Sequence, residues 1–225
     1  MELILSSGFL AFASHLGFLR AVEESTVSVS GLCGTSSGAL IGALWLAGVK
    51  IKDIAELVQE QAPYRSMRLH PYPWQGLLSM GGLQKRLSGL LPNRFEDLPI
   101  PFGVGVCDLK WNPKIVQSGS LLPCVLASCS IPYLFTPISV DGERLCDGGA
   151  ADRIGAQAWR EIRGEKDYWI HVVERSRGAK TEKGLSGANV VRSPRSGASF
   201  WSLKDFDARL ERTYQKTKEE LRKGG

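Results

Sequence analysis

The stretch Gly34-Thr35-Ser36-Ser37-Gly38 sets a serine between two glycines, each one residue away, where a β-like run gives way to a helix-like run. A serine nucleophile on a sharp turn asks for that spacing. Its backbone is strained, and only small neighbours let the chain pass close behind it. The helix that follows brings partial positive charge to the place where an oxyanion would develop, and the Ser37 amide is placed to donate there. The same residues also describe an ordinary turn whose serine caps a helix.

A serine needs a base, and the chain has three histidines. His15 opens a helix-like pattern. His70 falls in an irregular stretch. His171 sits inside the apolar run Trp169–Val173, where a histidine suits a core better than a catalytic loop. In the Ser-Asp-His order of α/β-hydrolases His171 would be the base, but several strands should then precede the serine, and only one fits. The alternative is Asp147 in "LCDGGAADRI", which ends a strand and is followed by Gly148 and Gly149. Two glycines permit a tight turn and a close backbone approach. A carboxylate held against a serine hydroxyl in a dry pocket can take its proton directly. The plain alternative is an Asp147 that only caps a turn.

The elements that would position these residues alternate. Strands are expected at 2–5, 26–33, 101–109, 113–119 and 167–173, with a hairpin over 137–149 turning on Asp141-Gly142. Helices are expected after the turn at residues 6–12, over 39–48 up to Gly48, over 51–61 before Pro63, and over 83–91, 120–132 and 154–163. Residues 63–82 break every period and read as a long surface loop. Residues 175–199 read as a basic, flexible connection. Residues 200–223 read as an amphipathic helix with Leu203, Phe206, Leu210, Tyr214 and Leu221 on one stripe. Strands alternating with helices imply an α/β fold of three layers, α/β/α, around a mostly parallel central sheet, with residues 1–225 as a single domain.

With both motifs located, the chain resembles the patatin-like phospholipases. "GTSSG" matches the family's nucleophile turn and "DGG" its catalytic aspartate. "SHLGFLRAVEE" is similar to its first helix, and "LASCSIPYLFTPISVDGERLCDGGAADRI" to the run before and around that aspartate. The likeness covers most of residues 1–155. It implies a Ser–Asp dyad of Ser36 and Asp147, hydrolysis of acyl lipid esters of phospholipase A or lysophospholipase type, and no metal or cofactor. The family's oxyanion loop, Gly-Gly-Gly-x-Arg/Lys-Gly, is altered here to "SGFLAF" at residues 7–12. Gly8 survives, while Phe9, Ala11 and Phe12 replace the second oxyanion glycine, the basic residue and the last glycine. Backbone donors need no particular side chain, so an oxyanion hole is expected from the amides of Gly8, Phe9 and Ser37, with Phe9 in ordinary negative-φ backbone. The other readings are a catalytically weak or inactive lipid-binding or regulatory protein on this fold, and a Ser-His-Asp esterase using His171.

Composition bounds the rest. Of the 225 residues 43% are hydrophobic and 23% charged, with a net charge of +5, an ordinary globular balance. No nucleic-acid motif appears, so no nucleic-acid partner is expected. Five cysteines without a CxxC pair fit buried free thiols in a reducing, cytoplasmic setting. The first residues read as a strand and not as a signal peptide, and no stretch of about twenty apolar residues is present to span a bilayer. Tyr64, Arg65, Arg68, Tyr72, Trp74, Leu77 and Leu78 give the 63–82 loop an aromatic-plus-basic mixture suited to a lid or to peripheral membrane contact.

Overall fold

The computed structural model describes residues 1–60, 68–69, 78–174, 183–199 and 202–224. Its centre is an eight-stranded sheet. Strands β1 (Glu2–Leu5), β2 (Gly31–Thr35), β5 (Phe102–Asp108), β9 (Tyr168–Val173) and β10 (Asn189–Ser193) run parallel in the order β10-β9-β1-β2-β5. Beyond β5 the sheet turns antiparallel through β8 (Glu143–Asp147) and β7 (Ile138–Val140), and β6 (Pro113–Val116) also pairs antiparallel with β5. The result is a mixed, mostly parallel sheet. Its central strands are buried on both faces, as their unbroken apolar runs require.

Helices cover the two faces. Leu3 and Leu5 face one core, shared with α1 (Phe12–Glu23), α2 (Ser37–Leu46) and α5 (Leu121–Ser128). Ile4 points the opposite way, into a second core under α6 (Ala156–Arg163) centred on the fully buried Trp159. The C-terminal α7 (Phe206–Gly224) lies along α1. Gly17 makes that approach possible, since a Cβ there would stand 2.2 Å from the Leu210 carbonyl oxygen. The hairpin turns on Asp141-Gly142 as expected, both with positive φ (49° and 85°), and joins Val140 to Glu143.

The structure departs from the sequence pattern in several places. Residues 26–30 alternate like a strand, but β1 begins at Glu2 opposite Gly31, so across from them stands Met1, bonded to Ser28 and Ser30, and the strand starts at Gly31. Within the expected loop at 63–82, β3 (Arg68–Leu69) pairs antiparallel with β4 (Leu78–Ser79). Most of that loop, with Tyr64, Arg65, His70, Tyr72, Trp74 and Leu77, lies outside the described residues. The next helix, α4 (Gly81–Leu87), begins and ends earlier than the spacing predicts. The expected connection at 175–199 contains β10, whose two valines pair with β9 at the sheet edge; residues 175–182 lie outside the described part. The last helix starts at Phe206, because Asp205 turns the backbone to a φ of 53° just before it.

Candidate active site

Ser36 follows the last residue of β2 and precedes α2, with φ 55° and ψ −120°. That conformation is costly for a non-glycine residue and is held from all sides. The Ser36 N–H donates to Ser128 Oγ at 2.8 Å, and the Ser128 hydroxyl donates to the Gly105 carbonyl at 2.6 Å. The two flanking glycines answer to close packing. A Cβ at Gly34 would stand 2.6 Å from the Gly38 backbone, and one at Gly38 2.4 Å from the Leu5 carbonyl oxygen. The turn is as sharp as the glycine spacing predicts.

Asp147 arrives from β8, antiparallel to β5, with Val106 opposite it. The Ser36 hydroxyl donates to Asp147 Oδ2 at 2.6 Å, and the Gly149 N–H donates to Oδ1 at 2.7 Å. Gly148 packs so tightly on Gly105 that a Cβ would stand 2.6 Å from its backbone, and a Cβ on Gly149 would meet Ser7 Oγ at 2.3 Å. Asp147 is 4% exposed, and among the described residues no cation pairs with it. Burial pushes its carboxyl up to about 6, against the pull of the Ser36 and Gly149 hydrogen bonds. A carboxylate that binds a proton this readily is a stronger base than a free aspartate, and the Ser36 hydroxyl already points its proton at it.

The altered loop curls over this pair. The Ala11 N–H donates to the Gly8 carbonyl at 3.2 Å, closing a turn whose third residue, Leu10, has φ 51°. Positive φ at that position is the signature of a type II turn. Phe9 stays out of the left-handed region, as expected; the strain falls on Leu10 instead. Gly8 is wedged in, since a Cβ would stand 2.8 Å from the Ala11 Cβ and 2.9 Å from that of Val173. Its carbonyl also accepts the Ser37 hydroxyl at 2.6 Å, tying the loop to the start of α2. The amides of Ser37 and Gly38 stand in the first turn of α2, where a helix leaves its N–H groups without internal acceptors.

Sequence reasoning missed the braces. Ser128 was one small residue in a run of several. Arg153 donates to the carbonyls of Ser7 (2.9 Å) and Val173 (2.8 Å), and the Ser6 hydroxyl accepts the Val173 N–H. Only the position of Arg153 just after "DGGAAD" hinted at such a part. Of the histidines, His15 and His171 are engaged elsewhere. His171 and His15 are fully buried, with their Nδ1 atoms 2.8 Å apart, and His171 Nε2 lies 3.0 Å from Ser193 Oγ. Burial lowers His15 to about 3, and burial together with His15 lowers His171 well below the usual range.

In front of Ser36 opens a largely apolar cleft. Phe9, Leu10, Leu40, Met80, Leu87 and Phe135 form walls suited to a hydrocarbon chain. Arg86 also faces it, donating to the Leu57 carbonyl and pairing with Glu60 at 3.5 Å. All five cysteines are free, four buried and Cys129 half-buried. Among the described residues no three His, Cys, Asp or Glu side chains gather as metal ligands, and no helix is long and apolar enough to cross a membrane.

A carboxylate–serine pair at the end of a mixed, mostly parallel sheet, under an apolar cleft, places the chain in a class of three-layer α/β proteins. The chain belongs to the patatin-like phospholipase family, whose sequence model matches residues 3–158. It is 29% identical over 156 residues to an uncharacterized NTE family protein of Mycobacterium tuberculosis, covering 68% of this chain and 43% of that one. It is 27% identical over 169 residues to the neuropathy target esterase sws of Drosophila melanogaster, covering 71% of this chain and 12% of that one. It thus spans less than half the length of these relatives. The crystal structure of VipD from Legionella pneumophila shares the fold, with a TM-score of 0.61 at 14% identity over 99% of this chain and 66% of that one.

Proposed function

We propose that the chain hydrolyses carboxylic esters of acyl lipids, of phospholipase A or lysophospholipase type, through an acyl-enzyme on Ser36. The observation that carries this reading is the 2.6 Å hydrogen bond from Ser36 Oγ to the buried Asp147, which no cation pairs among the described residues, at the foot of an apolar cleft. Ser36 Oγ attacks the ester carbonyl carbon while Asp147 Oδ2 takes its proton. The carbon–oxygen bond to the alcohol then breaks, and Asp147 returns the proton to the departing oxygen. Water attacks the acyl-enzyme, giving its proton to Asp147, and the fatty acid leaves with Ser36 restored. The amides of Gly8, Phe9 and Ser37 supply the oxyanion donors, each worth on the order of 100- to 1000-fold in rate.

A fluorophosphonate probe tests the assignment directly. The expected product is a single adduct on the Ser36 peptide, lost in Ser36→Ala and nearly lost in Asp147→Asn. No adduct on a folded protein would leave a lipid-binding protein without catalysis.

A further inference from the structure

The cleft has a rim that its chemistry does not use. Between Ile131 and Phe135, both cleft residues, the chain makes a tight turn in which the Leu134 and Phe135 N–H groups donate to the Ile131 carbonyl at 3.2 and 2.9 Å. Tyr133 stands at its tip, 85% exposed, with φ 67°. Its ring centroid lies 6.3 Å from that of Trp111, which is 44% exposed and has φ 69°. Leu109, 51% exposed, and the exposed Lys110 complete the tip of the β5–β6 loop.

This loop is built, not floppy. The Asp108 carboxylate accepts the amides of Lys110 and Asn112 at 2.8 and 2.9 Å and the Asn112 side chain at 2.8 Å, while the Trp111 N–H donates to the Asp108 carbonyl at 3.1 Å. Two bulky aromatics are therefore held in left-handed backbone, which is rare for such residues, with their rings directed to solvent. Fixing large apolar groups outward beside a cleft calls for a partner.

We propose that Leu109, Trp111 and Tyr133 form an anchoring rim that enters the headgroup region of a phospholipid bilayer and seats the mouth of the Ser36 cleft on the membrane. The choice of a bilayer rests on the lipid-ester reading above. Two further features favour it. Three side chains cover far less than the roughly 800 Å² per partner that a stable protein interface needs. A bilayer demands no shape match and rewards each ring separately. Tyrosine and tryptophan, with an apolar body and a polar tip, are the residues that settle at the water–lipid boundary, and Lys110 adds a charge that suits anionic headgroups.

The test is sedimentation of the protein with phosphatidylcholine vesicles, alongside hydrolysis of p-nitrophenyl butyrate in water. Trp111→Ser and Tyr133→Ser should each weaken vesicle binding about tenfold, since each withdraws one ring from the interface. Hydrolysis of the soluble ester should stay within about twofold of the unmodified protein. Brominated phosphatidylcholine should quench part of the tryptophan fluorescence, and Trp111→Phe should lose that part. Unchanged binding of the serine variants, no binding of the unmodified protein, or a concentration-dependent dimer broken by the same variants would each overturn the rim. A protein that binds vesicles through these residues yet cleaves neither p-nitrophenyl butyrate nor the vesicle phosphatidylcholine would sink the hydrolase reading and leave the rim standing.

Discussion

Two carboxylates are buried in the central sheet, and the protein treats them in opposite ways. Glu2, at the start of β1, is fully buried and surrounded by donors: Arg163 Nη2 at 3.0 Å and Nε at 3.2 Å, Trp159 Nε1 at 3.1 Å and Ser30 Oγ at 3.0 Å. Asp147, at the end of β8, has among the described residues one hydroxyl, one backbone N–H and no cation. Glu2 lies beside Gly31, the first residue of β2, whereas Ser36 follows the last. The pair therefore marks opposite ends of the same strands. Glu2 is met by a guanidinium, an indole and a hydroxyl. Asp147, with no cation beside it among the described residues, binds a proton more readily than a free aspartate.

The largest effect comes from removing the unpaired charge. Asp147→Asn is nearly isosteric but cannot accept the Ser36 proton, so kcat should fall by roughly three orders of magnitude or more, as it should for Ser36→Ala. Circular dichroism should show both variants folded. Turnover of Asp147→Asn near the unmodified level would remove the distinction between the two carboxylates. In the unmodified protein kcat/KM should fall tenfold per pH unit below about 6, where Asp147 becomes protonated.

Breaking the paired carboxylate should do the reverse. Glu2→Gln leaves Arg163 without its charge partner, and removing one member of a buried pair typically costs about 3–5 kcal/mol. Tm should drop by roughly 10 °C while the rate per folded molecule on a soluble ester is unchanged. A variant as stable as the unmodified protein would mean that Glu2 is not the structural member of the comparison.

Stability against pH sharpens the contrast. A carboxyl that titrates near 6 in the folded chain and near 3.8 unfolded binds its proton more tightly when folded. The fold is then strongest below pH 4 with respect to this group and loses roughly 3 kcal/mol as pH rises through 6. Asp147→Asn, always neutral, should melt higher than the unmodified protein at pH 7. Differential scanning calorimetry should show that gain vanishing by about pH 4. A gain independent of pH would place its origin somewhere other than the buried charge.

Much of this arrangement was legible in the sequence. Ser36 and Asp147 were readable because the glycines around them announce where backbone must pass close by. Phe9 was readable because a phenylalanine at a glycine's place resists positive φ. The supporting cast was not. Glu2 sits within "MELIL" with no hint that Arg163, more than 150 positions away, will meet it. The two valines of β10 were hidden by the glycines, serines and arginines around them. Trp111 and Tyr133 lie on different loops, and sequence alone shows neither their exposure nor their neighbourhood. Contacts set by strand order leave their mark only once the sheet is assembled.

The smallest expected effect falls on Ser128, another residue that only the assembled structure singles out. Its hydroxyl accepts the Ser36 N–H at 2.8 Å and donates to the Gly105 carbonyl at 2.6 Å, bridging the strained turn to β5. Ser128→Ala leaves both groups buried without that partner, at a cost of about 1–3 kcal/mol. The loss should also reach the chemistry, because Ser36 holds an unfavourable φ only while its surroundings insist on it. A drop in kcat of about tenfold with KM little changed is the expected outcome, measured on a soluble ester so that membrane contact plays no part. Ser128→Thr keeps the hydroxyl and should recover much of the rate if the added methyl fits. The same variants leave the donors around Glu2 untouched. If Ser128→Ala melts lower but turns over at the normal rate, the bridge supports the fold alone, and the difference between the two carboxylates rests on charge pairing without help from the strained turn.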